Sequence, residues 1–293
     1  MAEARYHGAS MTGQDATFRT IAPGGPALPL LVAVPHAGQT YPAAVMARAR
    51  VTRHALETLE DRHADALIGG LVAEGATAIV ADVARAAIDL NRDVRDLDPQ
   101  MIDGPLPWPA TPSFRMRSGL GLIPRRLARE GDLWRHRLGG AEVAALVERV
   151  HRPFHEAITA QLARMRAAWG QAVLLDCHSM PPLPEGGAKV VIGTRHGRSC
   201  AAELAAAAQD AVTAAGLPVA LNQPYAGGYT LDRHGRPEDG VHAVQIEMCR
   251  SLYLLPDMRT PDPAGVAMVS RLMRAIGVAL VETLPGRLAE AAE

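Results

Sequence analysis

Several polar side chains stand where short apolar runs end, and their types suit hydrolytic chemistry. His36 follows PLLVAVP (29–35), and Asn91 and Arg92 close ARAAIDLNR (84–92) after TAIVADV (77–83). Asp176 and His178 follow AVLL (172–175), and Glu247 lies inside VHAVQIEM (241–248), with Arg250 just beyond. In open α/β sheets the ligand crevice lies beyond the carboxyl ends of the strands, where these residues are expected. Two histidines and an acid suit a mononuclear catalytic metal, zinc by default, with a fourth position left for water. Zinc lowers the pKa of water to about 7. A neighbouring carboxylate, here Glu247, can take that proton and deliver it to a leaving nitrogen. Arg92 has the two-pronged guanidinium that suits a substrate carboxylate.

Each residue also has a plainer explanation. A histidine at a strand end is commonly a hydrogen-bonded structural residue, and Asp176 could cap a loop. Asn91-Arg92 could be a turn with a surface ion pair, and Glu247 could pair with Arg250. No HExxH motif singles out a metal site. Cys177 neighbours His178, but adjacent strand residues face opposite ways, so this pair is badly placed for a nucleophile and its base.

The elements that must position these residues alternate. The runs 29–35, 77–83, 172–175, 190–193 and 241–248 read as strands from their length, branching and flanking Gly or Pro. Helical periodicity covers about 42–49, 54–73, 140–168, 198–215 and 263–283, with Pro153 expected to kink or break the third. This alternation predicts an α/β fold with a mostly parallel or mixed sheet flanked by helices. Segment 98–135, rich in Pro, Gly and Arg, reads as a lid or excursion rather than core. No linker divides the chain, so residues 1–293 are expected to form a single catalytic domain. Gly38, Gly227 and Gly228 flank the polar positions and allow close backbone approach.

Composition excludes several classes. The 293 residues are 48% hydrophobic, which supplies a core, and 30 basic against 31 acidic residues leave a formal charge of −1. That balance argues against nucleic-acid or anionic-membrane binding, and 4% aromatics argue against a base-stacking platform. Lys189 is the only lysine and lies in no phosphate-loop motif, which limits Schiff-base and phosphate chemistry. Three dispersed cysteines make no disulfide or zinc-ribbon framework. Residues 1–14 show no signal peptide and no apolar run reaches 18 residues, so a cytoplasmic protein is expected.

Taken together, the motifs resemble the N-formylglutamate amidohydrolase family. They are PHAGQTYP (35–42), EDRHADAL (60–67), ARAAIDLNR (84–92), SGLGLIPR (118–125), RPFHEAI (152–158), LLDCHSMP (174–181), IGTRHGRSC (192–200) and the long NQPYAGGYTLDRHGRPEDGVHAVQIEMCRSLY (222–253). The resemblance implies a fold like that of zinc carboxypeptidases and aspartoacylases. It also implies hydrolysis of an N-formyl amino acid, N-formyl-L-glutamate above all, to formate and the free amino acid, the last step of one branch of histidine degradation. The substrate would be a small anionic N-acyl amino acid. A deacylase for another acyl group, a carboxypeptidase-like amidase and an inactive binding protein of the same fold are the alternatives.

By the same resemblance, His36 and His178 are metal ligands. Gln39 stands where the carboxypeptidases place a ligating Glu, so the third ligand must come from elsewhere. Asp61 is expected to supply it, with His63 and Asp65 as substitutes and a polar helix face as the plainer reading of Asp61. Glu247 corresponds to the general base and Asn91-Arg92 to the substrate-carboxylate binders. Arg85 would polarise the scissile carbonyl or bind a second carboxylate, unless it merely pairs with Asp89 or Asp82. Tyr229 and His234 would close over the substrate. Where many relatives carry Asp before the following Arg, this chain has Thr194, which bears on Arg195 and on substrate choice.

Overall fold

A computed structural model describes residues 16–284, so the reading of 1–14 lies outside the described residues. Every apolar run read as a strand forms one: β2 (Leu30–Val34), β3 (Thr77–Ala81), β4 (Ala172–Met180), β5 (Val190–Gly193) and β7 (Val241–Cys249). Two edge strands, β1 (Phe18–Ile21) and β6 (Val219–Leu221), complete the sheet; neither contains a fully buried residue, so their apolar signal was weak. The order is β1-β3-β2-β4-β7-β5-β6, parallel except for the β1/β3 and β7/β5 pairs. The sheet is therefore mixed, as expected.

Strand periodicity divides the core between the two faces. Val32, Leu175, Val244 and Ile246 face α7 (Ala202–Ala214) and α9 (Pro263–Glu282). Leu31, Ala33, Leu174 and Ala243 face α6 (Arg152–Trp169), which inserts Phe154, Ile158 and Leu162. Each such burial contributes on the order of 1.5–3 kcal/mol. Helix α9 is long and apolar enough, by composition alone, to cross a membrane. Here its Val269, Met273, Ile276 and Leu280 lie in the core.

The helical and loop readings need four corrections. Alongside α1 (Ala43–Arg48), the stretch 54–73 is not one helix. It breaks into α2 (Arg53–Glu57), a loop, a 3-10 turn (Ala64–Ile68) and α3 (Gly69–Glu74). His63 at φ 59° cannot sit in a right-handed helix, and the loop before it carries Asp61. The stretch 140–168 divides into α5 (Gly140–Leu146) and α6 across a π turn at Val147–His151, where the Arg152 N–H reaches back to Val147 O. Pro153, in the first turn of α6, needs no hydrogen-bond partner for a missing N–H. Segment 98–135 is not purely an excursion: it forms α4 (Phe114–Arg117) and buries Leu122, Ile123, Leu133 and Trp134 in the core. Finally, α8 (Tyr229–His234) is a short helix that the periodicity did not reveal.

Candidate metal centre and active-site cavity

Strand β4 runs to Met180, so Asp176 and His178 lie within the strand rather than beyond its end. With a side-chain period of two, they continue the face of Ala172 and Leu174. In the parallel register Gln245 opposes Asp176 and Glu247 opposes His178. Four polar side chains thus share one face, where the apolar cover of α6 stops. Cys177 points to the opposite core, fully buried, and burial pushes its thiol well above the ordinary range. That geometry disposes of the cysteine nucleophile.

His36 follows β2 in a tight passage beside Val83. A Cβ at Gly38 would lie 2.1 Å from Val83 O, so only glycine allows this approach. The Asp61 N–H donates to His36 O at 2.9 Å, tying the loop after α2 to the strand end.

Three ligand-type atoms from His36, Asp61 and His178 converge within 4.8 Å, all buried. His36 Nε2 lies 2.7 Å from Asp89 Oδ1 and His178 Nε2 lies 3.0 Å from Asp176 Oδ2. With Nε2 donating to a carboxylate, each ring turns its Nδ1 toward Asp61 Oδ2, at 3.4 Å from His36 and 3.0 Å from His178. Among the described residues the buried His36 Nδ1 has no hydrogen-bond partner. Lone pairs and a carboxylate facing one another require a proton or a cation between them. Carboxylate-held imidazoles of this kind are the usual support of metal-ligating histidines. The donor set therefore fits a divalent cation.

Without a cation, protons fill that role. Burial opposes it, but the Asp176, Asp61 and Glu247 carboxylates raise His178 well above the ordinary imidazole range. Asp61 is held well below the carboxylate range, against its burial, by His178 and His36. Among the described residues Glu247 has no cation in hydrogen-bond contact: burial pushes it up to about 7, with His178 opposing and Asp61 reinforcing. Gln245 Nε2 donates to Glu247 Oε1 at 2.9 Å and leaves the second oxygen available. The alternative partner, Arg250, goes elsewhere, to Asp61 Oδ1 at 3.1 Å and Glu60 O at 2.7 Å.

The substitutes for the third ligand are occupied. His63 Nε2 meets Arg259 O at 3.1 Å and Asp65 pairs with Arg19 at 2.6 Å. Arg85 does pair with Asp89, at 2.8 Å, and still lines the cavity. Asn91 is buried and its amide is used internally: Oδ1 accepts from Thr230 N at 2.9 Å and Nδ2 donates to Gln245 Oε1 at 3.4 Å. Arg92 donates to Asn91 O and Leu120 O, at 2.7 and 3.0 Å, so part of its fork is used. Tyr229 lines the cavity, but His234 does not: it lies behind that wall, 4% exposed, with Nε2 3.0 Å from His155 Nδ1. Its expected place over the substrate is thus corrected to a place in the wall.

Sequence reading assigned no role to Gln245, none at the metal to Asp176, and to Asp89 only a pairing with Arg85. Their signal was spacing: Asp176 and Gln245 each precede a candidate by two residues on a strand. Thr194 does not strand Arg195. Its hydroxyl accepts from Gly197 N and Asn222, while Arg195 takes Asp232 Oδ1 at 2.6 Å.

All of this opens into a cavity of about 1260 Å³, whose lining includes eight arginines and five acids. Among the described residues, Arg115, Arg233 and Arg236 have no carboxylate partner. The lining therefore holds more basic than acidic side chains.

A sequence profile of N-formylglutamate amidohydrolases matches residues 28–254. The chain is 32% identical over 265 residues to an N-formylglutamate deformylase of Pseudomonas aeruginosa, covering 88% of this chain and 92% of that one. An N-formylglutamate deformylase of Pseudomonas putida is 32% identical over 236 residues, 78% of this chain and 82% of that one. A crystal structure of N-formylglutamate amidohydrolase from Ralstonia eutropha JMP134 superposes with a TM-score of 0.85 at 32% identity, covering 92% of this chain and 98% of that one. The match spans every cavity-facing segment from His36 to Arg250, and on it the chain is an amidohydrolase that belongs to the N-formylglutamate amidohydrolase family.

Proposed function

We propose that this chain hydrolyses N-formyl-L-glutamate to formate and glutamate, with a divalent cation held by His36, Asp61 and His178. The observation that carries the reading is the convergence of those three side chains around an unpartnered Nδ1, with Glu247 registered against His178. Two imidazoles and a carboxylate suit zinc, although cobalt, manganese or iron(II) also accept this donor set. A cation bound there supplies Lewis acidity toward the formyl oxygen and makes water acidic enough to ionise near neutral pH.

The chain's own residues do the rest. Glu247 takes the proton of the attacking water on the oxygen that Gln245 leaves free, then delivers it to the departing nitrogen. Arg85, oriented by Asp89, stabilises negative charge developing on the formyl oxygen. Arg92 holds the α-carboxylate with the part of its fork that faces the cavity. Asn91 orients Gln245 instead of binding substrate. The unpaired Arg115, Arg233 and Arg236 favour a second carboxylate, which selects a dicarboxylic substrate over a neutral one. The rim 111–115 of segment 98–135 serves as the lid within a single catalytic domain. On this reading the enzyme works in the cytoplasm and closes a branch of histidine degradation.

Formate release from N-formyl-L-glutamate by purified protein is the direct test, with chelator and with zinc added back. The reading expects release, loss on chelation and recovery on readdition. Release from N-acetyl or peptidyl substrates in place of the formyl compound would sink the substrate assignment. Full activity after complete metal removal would sink the cation.

A further inference from the structure

The motif RPFHEAI and the buried His234 take no part in the chemistry above, yet they meet beneath it. His151, at the end of the π turn, and His155, one turn later, present their rings on the same side of α6, with centroids 4.5 Å apart. His151 Nε2 lies 2.8 Å from Arg92 O and His155 Nε2 lies 2.8 Å from Leu90 O. The two rings therefore grip the carbonyls on either side of Asn91. His155 Nδ1 is 3.0 Å from His234 Nε2. The Tyr229 ring packs against both imidazoles, 5.5 and 5.1 Å between centroids, and forms the cavity side of this wall.

We propose that His151, His155 and His234 are positioning residues: a chain of neutral imidazoles that clamps the Leu90–Arg92 backbone and so fixes Asn91 and Arg92 in the cavity. It rests on the reading of Arg92 as the carboxylate anchor. Proton arithmetic fixes the tautomers. A carbonyl only accepts, so His151 and His155 must each carry a proton on Nε2. A neutral His155 then offers a lone pair at Nδ1, and His234 must donate to it from its own Nε2–H. A second proton on His155 would face that donor head-on. Burial keeps the rings neutral: the three are 2%, 0% and 4% exposed, and His155 is held well below the ordinary imidazole range by burial, with the Arg233 charge adding to the effect.

The clamp reaches the reacting groups through Asn91. Its Nδ2 donates to Gln245 Oε1, and Gln245 in turn holds Glu247. A displacement of about 1 Å at a positioned group can cost ~100-fold in rate, so the hold on this backbone matters. The π turn that ends at His151 agrees with such a role, since π turns are frequent at functional sites.

Two measurements test the clamp. Long-range ¹H–¹⁵N correlation spectra of histidine-labelled protein at neutral pH read tautomers without any substrate. Nε2–H signals for His151, His155 and His234 are expected, and an Nδ1–H tautomer or an imidazolium at any of them overturns the proposal. Steady-state kinetics then compare His151→Leu with His151→Gln, whose amide can still donate to Arg92 O. The leucine variant should raise KM for N-formyl-L-glutamate about tenfold or more with a smaller change in kcat, and the glutamine variant should stay within about threefold of wild type. A folded leucine variant with wild-type KM, or a glutamine variant as impaired as the leucine one, refutes the clamp. Should the leucine variant not fold, the glutamine variant and the tautomers decide. A wild-type enzyme inert toward N-formyl-L-glutamate would instead refute the substrate reading and leave the tautomer result to judge the clamp.

Discussion

Glu247→Gln should make the enzyme nearly inactive and more stable at the same time. The substitution keeps size and shape, and its side-chain oxygen can still accept from Gln245 Nε2, now at 2.9 Å from Glu247 Oε1. What it removes is the proton acceptor. Loss of a positioned general base costs typically 10²- to 10⁴-fold, or about 2.7–5.5 kcal/mol in the barrier. It also removes a buried negative charge. The Glu247 carboxyl is raised from 4.5 to about 7, mainly by burial. An acid with a raised folded-state pKa is bound to its proton more tightly in the folded than in the unfolded state. Stability is therefore lost as pH rises from 4.5 through about 7. Above that window the cost approaches about 3 kcal/mol, since each tenfold difference in proton affinity between the two states is worth roughly 1.4 kcal/mol. In the metal-free protein at pH 8, the glutamine variant should gain up to about that much in unfolding free energy, and close to nothing at pH 4. Denaturant titrations at the two pH values, beside a formate-release assay of the metal-loaded enzymes, measure both effects. Wild-type turnover in the variant, or a variant no more stable at pH 8 than at pH 4 relative to wild type, would refute the assignment of Glu247 as a desolvated base.

Other outcomes follow from the same geometry. Asp89→Asn and Asp176→Asn, which weaken the carboxylates behind His36 and His178, should each lower cation affinity by about 10- to 100-fold in a competition titration. Saturating zinc at about 100 times its dissociation constant should stabilise the fold by roughly 2.7 kcal/mol, seen as a rise in melting temperature that chelator reverses. His234 is depressed to about 3 by burial, with Arg233 and Arg236 adding to the effect. Its unfolded form protonates near 6.5, so stability present at pH 7 is lost as pH falls toward 3, by about 2 kcal/mol already at pH 5. His234→Gln should flatten that acid limb in denaturant titrations. Phe154→Ala, at a fully buried position of α6, should cost about 3–5 kcal/mol of stability.

The alternation of β4 and β7 was legible in the chain because a strand's facing rule is local. Asp176, His178, Gln245 and Glu247 sit at spacings of two, and the same rule sent Cys177 to the other core. The motifs from His36 to Arg250 likewise identified the family without any coordinates. Helix 54–73 misread because its apolar spacing continues across residues whose backbone turns away, which periodicity does not register. That break is what carries Asp61 to His178, 117 residues distant.

By itself, then, the sequence determined the sheet-forming runs and the faces of the reactive side chains, and through its family motifs it pointed to all three converging ligand-type residues and to the carboxylate registered beside them. Tertiary structure alone decided which carboxylates hold the histidine Nε2 atoms and which arginines are left without partners. It also moved His234 from the substrate to the wall behind it. The physical reason is range. Side-chain direction follows from neighbours along one strand, whereas hydrogen-bond and charge pairing depend on elements brought together only when the sheet and α6 close around the same cavity.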